Sequence, residues 1–398
     1  MSKRRVLFVI KSLQQGGTER QVLRMLGLLD PNRFEVALCT LAPEIHYSDV
    51  PAGQPRFPLN ARGAGAIKAL AAVIEEFQPD LIHSFRDNVN RWVRAALSRI
   101  EHAPTWLMSV RGRPVLPWDL LWSRIISRRA YRVVVNSLGI ERTLRRFAGI
   151  RPGKIAVIPN LLNPEAFRPP GPGERVAARE YFGLSADAFV WAFPARISWV
   201  KNQLGLLWSL ALLVRWGALP EGTVFLLAGR PRDQIPSALL PKLARALGVE
   251  KYLRVLPPEK EPRVLYTASD ALVLPSWAEG MPNVVLEAQL MGLPVVVTRQ
   301  ANWDAAVSTG YSGYVVSTGS PRALAEAMRR LMSLSEIERR AMGARGRTSL
   351  LERFPPGPIM ESLGLLYEQA IATQSARPVE LSPARPGTQK RRSAEGSR

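Results

Sequence analysis

What most constrains this chain is a rhythm: short apolar runs rich in Val, Ile and Leu alternate with longer amphipathic stretches along most of its length. Strands buried on both faces read as such runs, and the helices joining parallel strands supply the longer segments, so the rhythm predicts an α/β fold with parallel sheets. Strands are expected at residues 5–10, 34–41, 81–84, 105–110, 132–136 and 155–159, with helices at 19–28, 65–76, 88–99, 119–131 and 139–147. Residues 163–174 (NPEAFRPPGPGE) then break the pattern with four prolines and two glycines, the composition of a linker. The rhythm restarts with strands at 188–195, 223–228, 253–256, 270–274, 294–298 and 313–316, and helices at 203–216, 237–247, 283–291 and 321–331. A helix at 334–353 follows, and Pro355 and Pro356 interrupt the chain before a last helix at 359–372.

A length of 398 residues exceeds what one core usually supports, and 46% hydrophobic residues suffice for a sizeable interior. The expectation is two Rossmann-like doubly wound domains, 1–168 and 169–354, facing each other across a cleft, the place where ligands of such sheets bind. Residues 355–374 form a C-terminal helix able to return to the first domain, and 375–398, basic and nearly without large apolar residues, a disordered tail.

Cys39 is the single cysteine, so no intrachain disulfide is expected, and its place behind an apolar run reads as a buried small hydrophobe. The apolar stretch 6–10 is too short for an export signal, and the longest apolar run, 204–214, is too short to span a bilayer. The expected location is cytoplasmic, with peripheral attachment to the inner face of the membrane. Charge points the same way: residues 86–154 hold 15 basic and four acidic side chains, and that excess of 11 supplies over half of the net +21. Such a patch attracts polyanions. Residues 119–131 (DLLWSRIISRRAY) interleave Leu, Trp and Ile with Arg124, Arg128 and Arg129, which favours an anionic lipid surface and leaves open a solvated helix packed on its own domain. No zinc-ligand cluster or aromatic RNA-binding signature accompanies the charge, so nucleic acid is not an expected partner.

Three motifs carry chemistry. PSWAEGMPNVVLEA, residues 275–288, follows a strand and opens a helix. Gly280 lets the backbone approach a ligand, Pro282 suits a first helical position, and the amides around Met281, Asn283 and Val284 point at an anion. Glu279 in the turn and Glu287 in the helix can each accept hydrogen bonds from ligand hydroxyls, one at either end of a phosphate group. Arg196 and Lys201, in FPARISWVKN at the end of a strand, can stabilise charge on a departing diphosphate, the arginine through bidentate contact and the lysine as a point charge. IKSLQQGGTERQ, residues 10–21, places Gly16 and Gly17 in another strand-to-helix turn, and the dinucleotide fingerprint G-x-G-x-x-G is absent.

Together these motifs resemble those of the retaining family-4 glycosyltransferases of GT-B fold. Glu279 and Glu287 match their E-x7-E signature, Arg196 and Lys201 their R-x4-K element, and Gly16 and Gly17 their amino-terminal GG turn. PDLIHS, VVVNS, VIPNLLNPEAF, LLAGR with Gly229, and VLYTASDALVLPS extend the similarity to about residue 372. The resemblance implies a metal-independent hexosyltransferase without a cofactor. Its donor would be a nucleotide-diphosphate sugar, UDP-linked by preference and GDP-linked as the alternative, and its acceptor a glycan or lipid-linked molecule of cell-surface polysaccharide or glycolipid synthesis. Catalysis falls to Arg196, Lys201 and Glu279. Donor binding falls to Gly16, Gly17, Gly229, Gly280, Met281, Pro282, Asn283, Val284 and Glu287.

On the acceptor side the resemblance implies His83, Arg86, Asn90 and Arg111, the last able to meet an acceptor phosphate. Many relatives carry a second histidine where this chain has Phe85, and His83 reads equally as a satisfied core residue. Leu161 replaces the glycine usual after VIPN, and Pro257 and Pro258 replace a glycine beside the base pocket, which leaves the base unassigned. Two other classes fit the fold: a nucleotide-sugar epimerase, for which the chain is poor in histidine, and a non-catalytic glycosyltransferase-like binding subunit.

Overall fold

The computed structural model describes residues 3–375 apart from 15, 44–49, 52, 62, 113, 115, 232–238 and 258–261. The expectations for the 376–398 tail, Arg113, Pro258 and the first residues of the 237–247 helix lie outside the described residues.

The first half is a seven-stranded parallel sheet of β1 (Arg4–Ile10), β2 (Phe34–Thr40), β3 (Arg56–Pro58), β4 (Leu81–Phe85), β5 (Thr105–Val110), β6 (Arg132–Val135) and β7 (Ile155–Val157), in the order 3-2-1-4-5-6-7. The helices between them are α1 (Gly17–Leu28), α2 (Gly63–Phe77), α3 (Asp87–Leu97), α4 (Pro117–Ser127) and α5 (Leu138–Ala148). The second half repeats the plan with β8 (Val190–Pro194), β9 (Val224–Ala228), β10 (Leu253–Leu256), β11 (Ala271–Leu274), β12 (Val295–Thr298) and β13 (Gly313–Val316), in the order 10-9-8-11-12-13. Its helices are α6 (Glu174–Tyr181), α7 (Gln203–Arg215), α8 (Leu239–Ala246), α9 (Pro262–Ala268), α10 (Asn283–Leu290), α11 (Pro321–Met332) and α12 (Glu336–Arg353), and α13 (Pro356–Ser375) ends the described chain. Both sheets are doubly wound: strand order reverses between β1 and β4 and between β8 and β11, so each presents a crevice at its strand C-termini.

The central strands are buried on both faces, as their unbroken apolar runs require; Val6 to Ile10 and Leu272 to Leu274 are fully covered. Cys39 is buried in β2, where desolvation pushes its thiol up to about 12. Three elements are absent from the sequence expectation. β3 has only three residues, too few for an alternation to register, and α6 and α9 are single short helices that directly follow proline-bearing segments.

The last helix crosses back to the first sheet. Tyr367 of α13 is fully buried against Phe8 and Phe34, with ring centroids 6.5 and 5.8 Å away, and Arg33 reaches Glu361 and Glu368 at 3.0 and 2.9 Å. Among the described residues, no helix is long and apolar enough to cross a membrane. Helix α4 buries Ser123, Ile126 and Ser127 and leaves Trp118, Leu121 and Trp122 exposed, with Arg91 stacked 4.6 Å over the Trp122 ring.

Candidate active site in the cleft between the sheets

The strand C-termini of the two halves face one another across a cleft of about 810 Å³. On the second half, β8 ends at Pro194 and the chain runs through Arg196 into a single 3₁₀ turn, Trp199–Lys201. That loop is fixed from several sides. Gln203 Nε2 donates to the Arg196 carbonyl at 2.8 Å, and the Trp277 amide donates to the Val200 carbonyl at 2.8 Å. Asn202, in left-handed conformation at φ +53°, caps α7 and donates to the Pro275 carbonyl at 3.1 Å. The loops after β8 and β11 are thereby held together, and Lys201 Nζ forms an ion pair with Glu279. Both side chains are only about 15% exposed.

Helix α10 begins beyond Pro282, which takes the N-cap position rather than the first helical one and leaves the helix start without a side-chain cap. Its amides face the same cleft, which Arg196, Lys201, Glu279, Gly280, Met281, Pro282, Asn283 and Val284 all line, together with Gly16 and Gly17 from the opposite turn. Uncapped amides at a helix start favour an anion.

Gly280 answers to a different constraint from the one its sequence context gives. A Cβ there would lie 2.7 Å from the Arg111 carbonyl and 2.7 Å from Asn136 Oδ1, both on the first half, so the missing side chain is what lets the two halves meet. Around it Asn160 Nδ2 donates to the Met281 carbonyl and to Asn283 Oδ1, both at 2.7 Å, and Asn283 Nδ2 donates to the Gly17 carbonyl at 3.0 Å. At the far rim Asp304 Oδ1 accepts from the Leu138 amide at 2.9 Å, and the Trp303 indole fills the space over Gly139.

Glu287 lies outside the lining. It is 5% exposed, paired with Arg20 of α1 and accepting from the Tyr266 hydroxyl at 2.9 Å. Gly229 is also outside: a Cβ there would sit 2.1 Å from the Ala195 carbonyl oxygen, so this glycine serves the contact between the ends of β9 and β8. Two expected acceptor-side residues are core residues of the first sheet. His83 is fully buried, 2.6 Å from the Tyr367 hydroxyl through Nδ1 and 2.8 Å from Ser109 Oγ through Nε2. Burial and the nearby Arg111 charge hold its pKa well below the ordinary value, so the ring is neutral. Asn90 is fully buried too, accepting from Ser84 Oγ at 2.6 Å and donating to the Ser109 carbonyl at 3.0 Å.

Arg86 and Arg111 do line the cleft. Arg86 holds a backbone φ of +87° in front of α3, a costly conformation for a residue with a side chain, and pairs with buried Glu19 at 2.7 Å. Arg111 donates to Asn160 Oδ1 at 2.7 Å, and burial lowers it to about 10, still charged at neutral pH. Sequence reasoning did not name Arg20, Asn136 or Asn160, whose roles depend on partners 24 to 267 positions away.

Two family models match the chain: Glycosyltransferase Family 4 over residues 15–166 and Glycosyl transferases group 1 over residues 188–334. Among curated proteins, the chain is 33% identical over 259 residues to a D-inositol 3-phosphate glycosyltransferase of Saccharomonospora viridis, covering 64% of this chain and 59% of that protein. It is 30% identical over 292 residues to one of Geodermatophilus obscurus, covering 72% and 63%. The chain thus spans about three fifths of the length of these two relatives. Among solved structures, Anabaena Alr3699/HepE in complex with UDP and glucose superposes with a TM-score of 0.79 at 19% identity, over 92% of this chain and 100% of that one. With two doubly wound sheets in the arrangement of those structures and a matching model on each half, the chain belongs to the family 4 and group 1 glycosyltransferases of GT-B fold.

Proposed function

We propose that the protein transfers a hexose-type sugar, with retention at the anomeric carbon, from a nucleotide-diphosphate sugar to a glycan or lipid-linked acceptor. The observation that carries this reading is the joint lining of one cleft wall by Arg196, Lys201, Glu279 and the uncapped start of α10. A donor diphosphate would lie against the helix start and the two cations, which stabilise charge on the leaving oxygen, while the acceptor hydroxyl attacks from the same face and the phosphate takes its proton. Glu279 would receive the sugar hydroxyls. Glu287 would meet the ribose by exchanging its Arg20 contact for ribose hydroxyls. A UDP-linked donor is favoured by solved neighbours that bind UDP and UDP-glucose, with a GDP-linked donor as the alternative. Curated relatives named for inositol 3-phosphate make a phosphorylated polyol the first acceptor to try, with Arg111 as the cation for its phosphate.

Lys201→Ala should lower turnover of UDP-glucose with inositol 3-phosphate by about 10²- to 10³-fold, the loss that follows removal of one charge-stabilising group. Near-normal turnover in that variant refutes the assignment, and NMR of the product's anomeric proton decides retention. Conversion of the donor to an epimer without any acceptor would instead identify an epimerase. For the location we propose peripheral attachment at the inner face of the membrane through α4, whose exposed Trp118, Leu121 and Trp122 adjoin exposed Arg124 and Arg128. Flotation with anionic liposomes at low salt and release at high salt tests it.

A further inference from the structure

Helix α7 of the second half is apolar on every side, yet one of its faces is exposed. From Gln203 to Val214 it carries no charged residue, and a helix of that kind belongs inside a core or a membrane. Leu206, Leu207, Leu210 and Leu213 are buried in the core, while Leu204, Trp208 and Val214 lie in solvent. The exposed surface continues past the helix start to Trp199 and Trp277, in two loops joined by the bond from the Trp277 amide to the Val200 carbonyl. Trp199, Trp208 and Trp277 are 63%, 50% and 49% exposed, so three indole rings stand half in water on one surface.

The surrounding charge fits an anionic partner. Residues 188–220 hold Arg196, Lys201 and Arg215 and no acidic side chain. Helix α7 packs beside α8 and α11, which add exposed Lys242, Arg245, Arg329 and Arg330, and the one acid in those two helices, Glu326, is paired with Arg322. A second copy is a poor occupant, because each chain carries +21 and like charges repel. The chain's own segment 376–398 is a poor one too: it is basic, and its only large apolar residues are Val379 and Leu381. The interface of an anionic bilayer takes both features, since indole rings settle at the headgroup level and basic side chains meet lipid phosphate.

The winding of the sheets fixes which side of the molecule this face is on. In the second sheet β8–α7–β9 and β11–α10–β12 run in opposite directions along the strand order, so right-handed crossovers set α7 and α10 on opposite faces. In the first sheet the same rule sets α1 opposite α3 and α4. Helices α1 and α10 meet through Gln21 and Asn283 and through Arg20 and Glu287, which leaves α4 and α7 together on the other side. Val200, just before α7, and Asp119, in the first turn of α4, both line the cleft, so the two faces flank its mouth.

We infer that the second half has a membrane-docking face of its own, built by α7 with Trp199 and Trp277, which rests on the interface of an anionic bilayer. This goes beyond the attachment through α4 and does not depend on it. Where both hold, the two rims of the cleft lie on one bilayer, and the cleft opens toward acceptors held in the lipid surface.

The test uses vesicles of equal parts phosphatidylglycerol and phosphatidylcholine. Cys39, the single native cysteine, is buried, so Leu204→Cys and, separately, Leu121→Cys each carry one environment-sensitive fluorophore on the full chain. The fluorophore at 204 should shift to the blue when vesicles are added and be quenched by brominated acyl chains. Without a fluorophore, Leu204→Ser/Trp208→Ser should bind the vesicles at least tenfold more weakly than the native chain, with a thermal scan showing that it is folded. Should that double variant not fold, the fluorophore at 204 decides alone. A fluorophore at 204 that stays in water while the one at 121 shifts overturns this inference and leaves the α4 reading standing, and a shift at 204 alone does the reverse. No shift at either position overturns both. Equal vesicle binding by the double variant overturns the inference, and so does a shift at 204 on concentrating the protein without vesicles, which assigns the face to a second copy.

Discussion

The two walls of the cleft treat charge in opposite ways. On the second half both glutamates have a cation in contact, Glu279 with Lys201 in the cleft and Glu287, behind the lining, with Arg20 of the first half, and the loop bearing Lys201 is tied down by Asn202, Gln203 and Trp277. On the first half Asp87 and Asp119 face each other's charge without a donor, and Arg111 has no carboxylate within ion-pair reach among the described residues. Carboxylates that already hold a cation cost the fold little. Carboxylates that hold none burden it by desolvation and mutual repulsion.

Removing one member of a contact should therefore have opposite signs on the two sides. The largest effect is expected for Arg20→Ala, which strands the buried Glu287 carboxylate with the Tyr266 hydroxyl alone. A loss of about 3 kcal/mol follows, measured by urea denaturation, because breaking a buried pair leaves an uncompensated charge. A neutral result would put the Arg20–Glu287 pair in the same class as the unmet carboxylates of the first half. Asp87→Asn should instead stabilise. With its folded pKa raised to about 6 from an ordinary 3.8, Asp87 binds its proton more tightly in the native state, so its contribution is most favourable at low pH and is lost as pH rises through 6. The variant should gain up to about 3 kcal/mol above pH 6 and nothing below pH 4, in denaturation series across that range. A gain independent of pH would show that the carboxylate's ionisation is not the cause.

The smallest effect sharpens the contrast by testing a satisfied group away from both walls. Tyr367→Phe removes one hydrogen bond to His83 and leaves Nδ1 unmet, at a cost of about 1–2 kcal/mol with little change in UDP affinity. Altered UDP affinity would mean that the core of the first half reaches the proposed donor residues of the second.

Legibility in the sequence follows the same division. The strand and helix rhythm and the loop motifs around Glu279 and Lys201 could be read because each is local, a period or a spacing within a dozen residues. On the first-half wall Arg86 and Arg111 could be named, but not the burial of His83 and Asn90, because that depends on which residues distant elements engage. Nothing near His83 reports that Tyr367, 284 positions later, occupies its ring nitrogen, nor that Gly280 abuts the Arg111 carbonyl. Asp87 and Asp119 sit in ordinary helix-opening positions, where an acidic residue needs no explanation, and only their joint exposure to the cleft distinguishes them.

The return of α13 to the first sheet has a consequence during synthesis. The apolar bed formed by Phe8 and Phe34 stays uncovered until Tyr367 has left the ribosome, although β1 and β2 are made long before α13. The nascent amino-terminal half therefore keeps an open groove until α13 is made, and it completes its own interior only after its neighbour has been made.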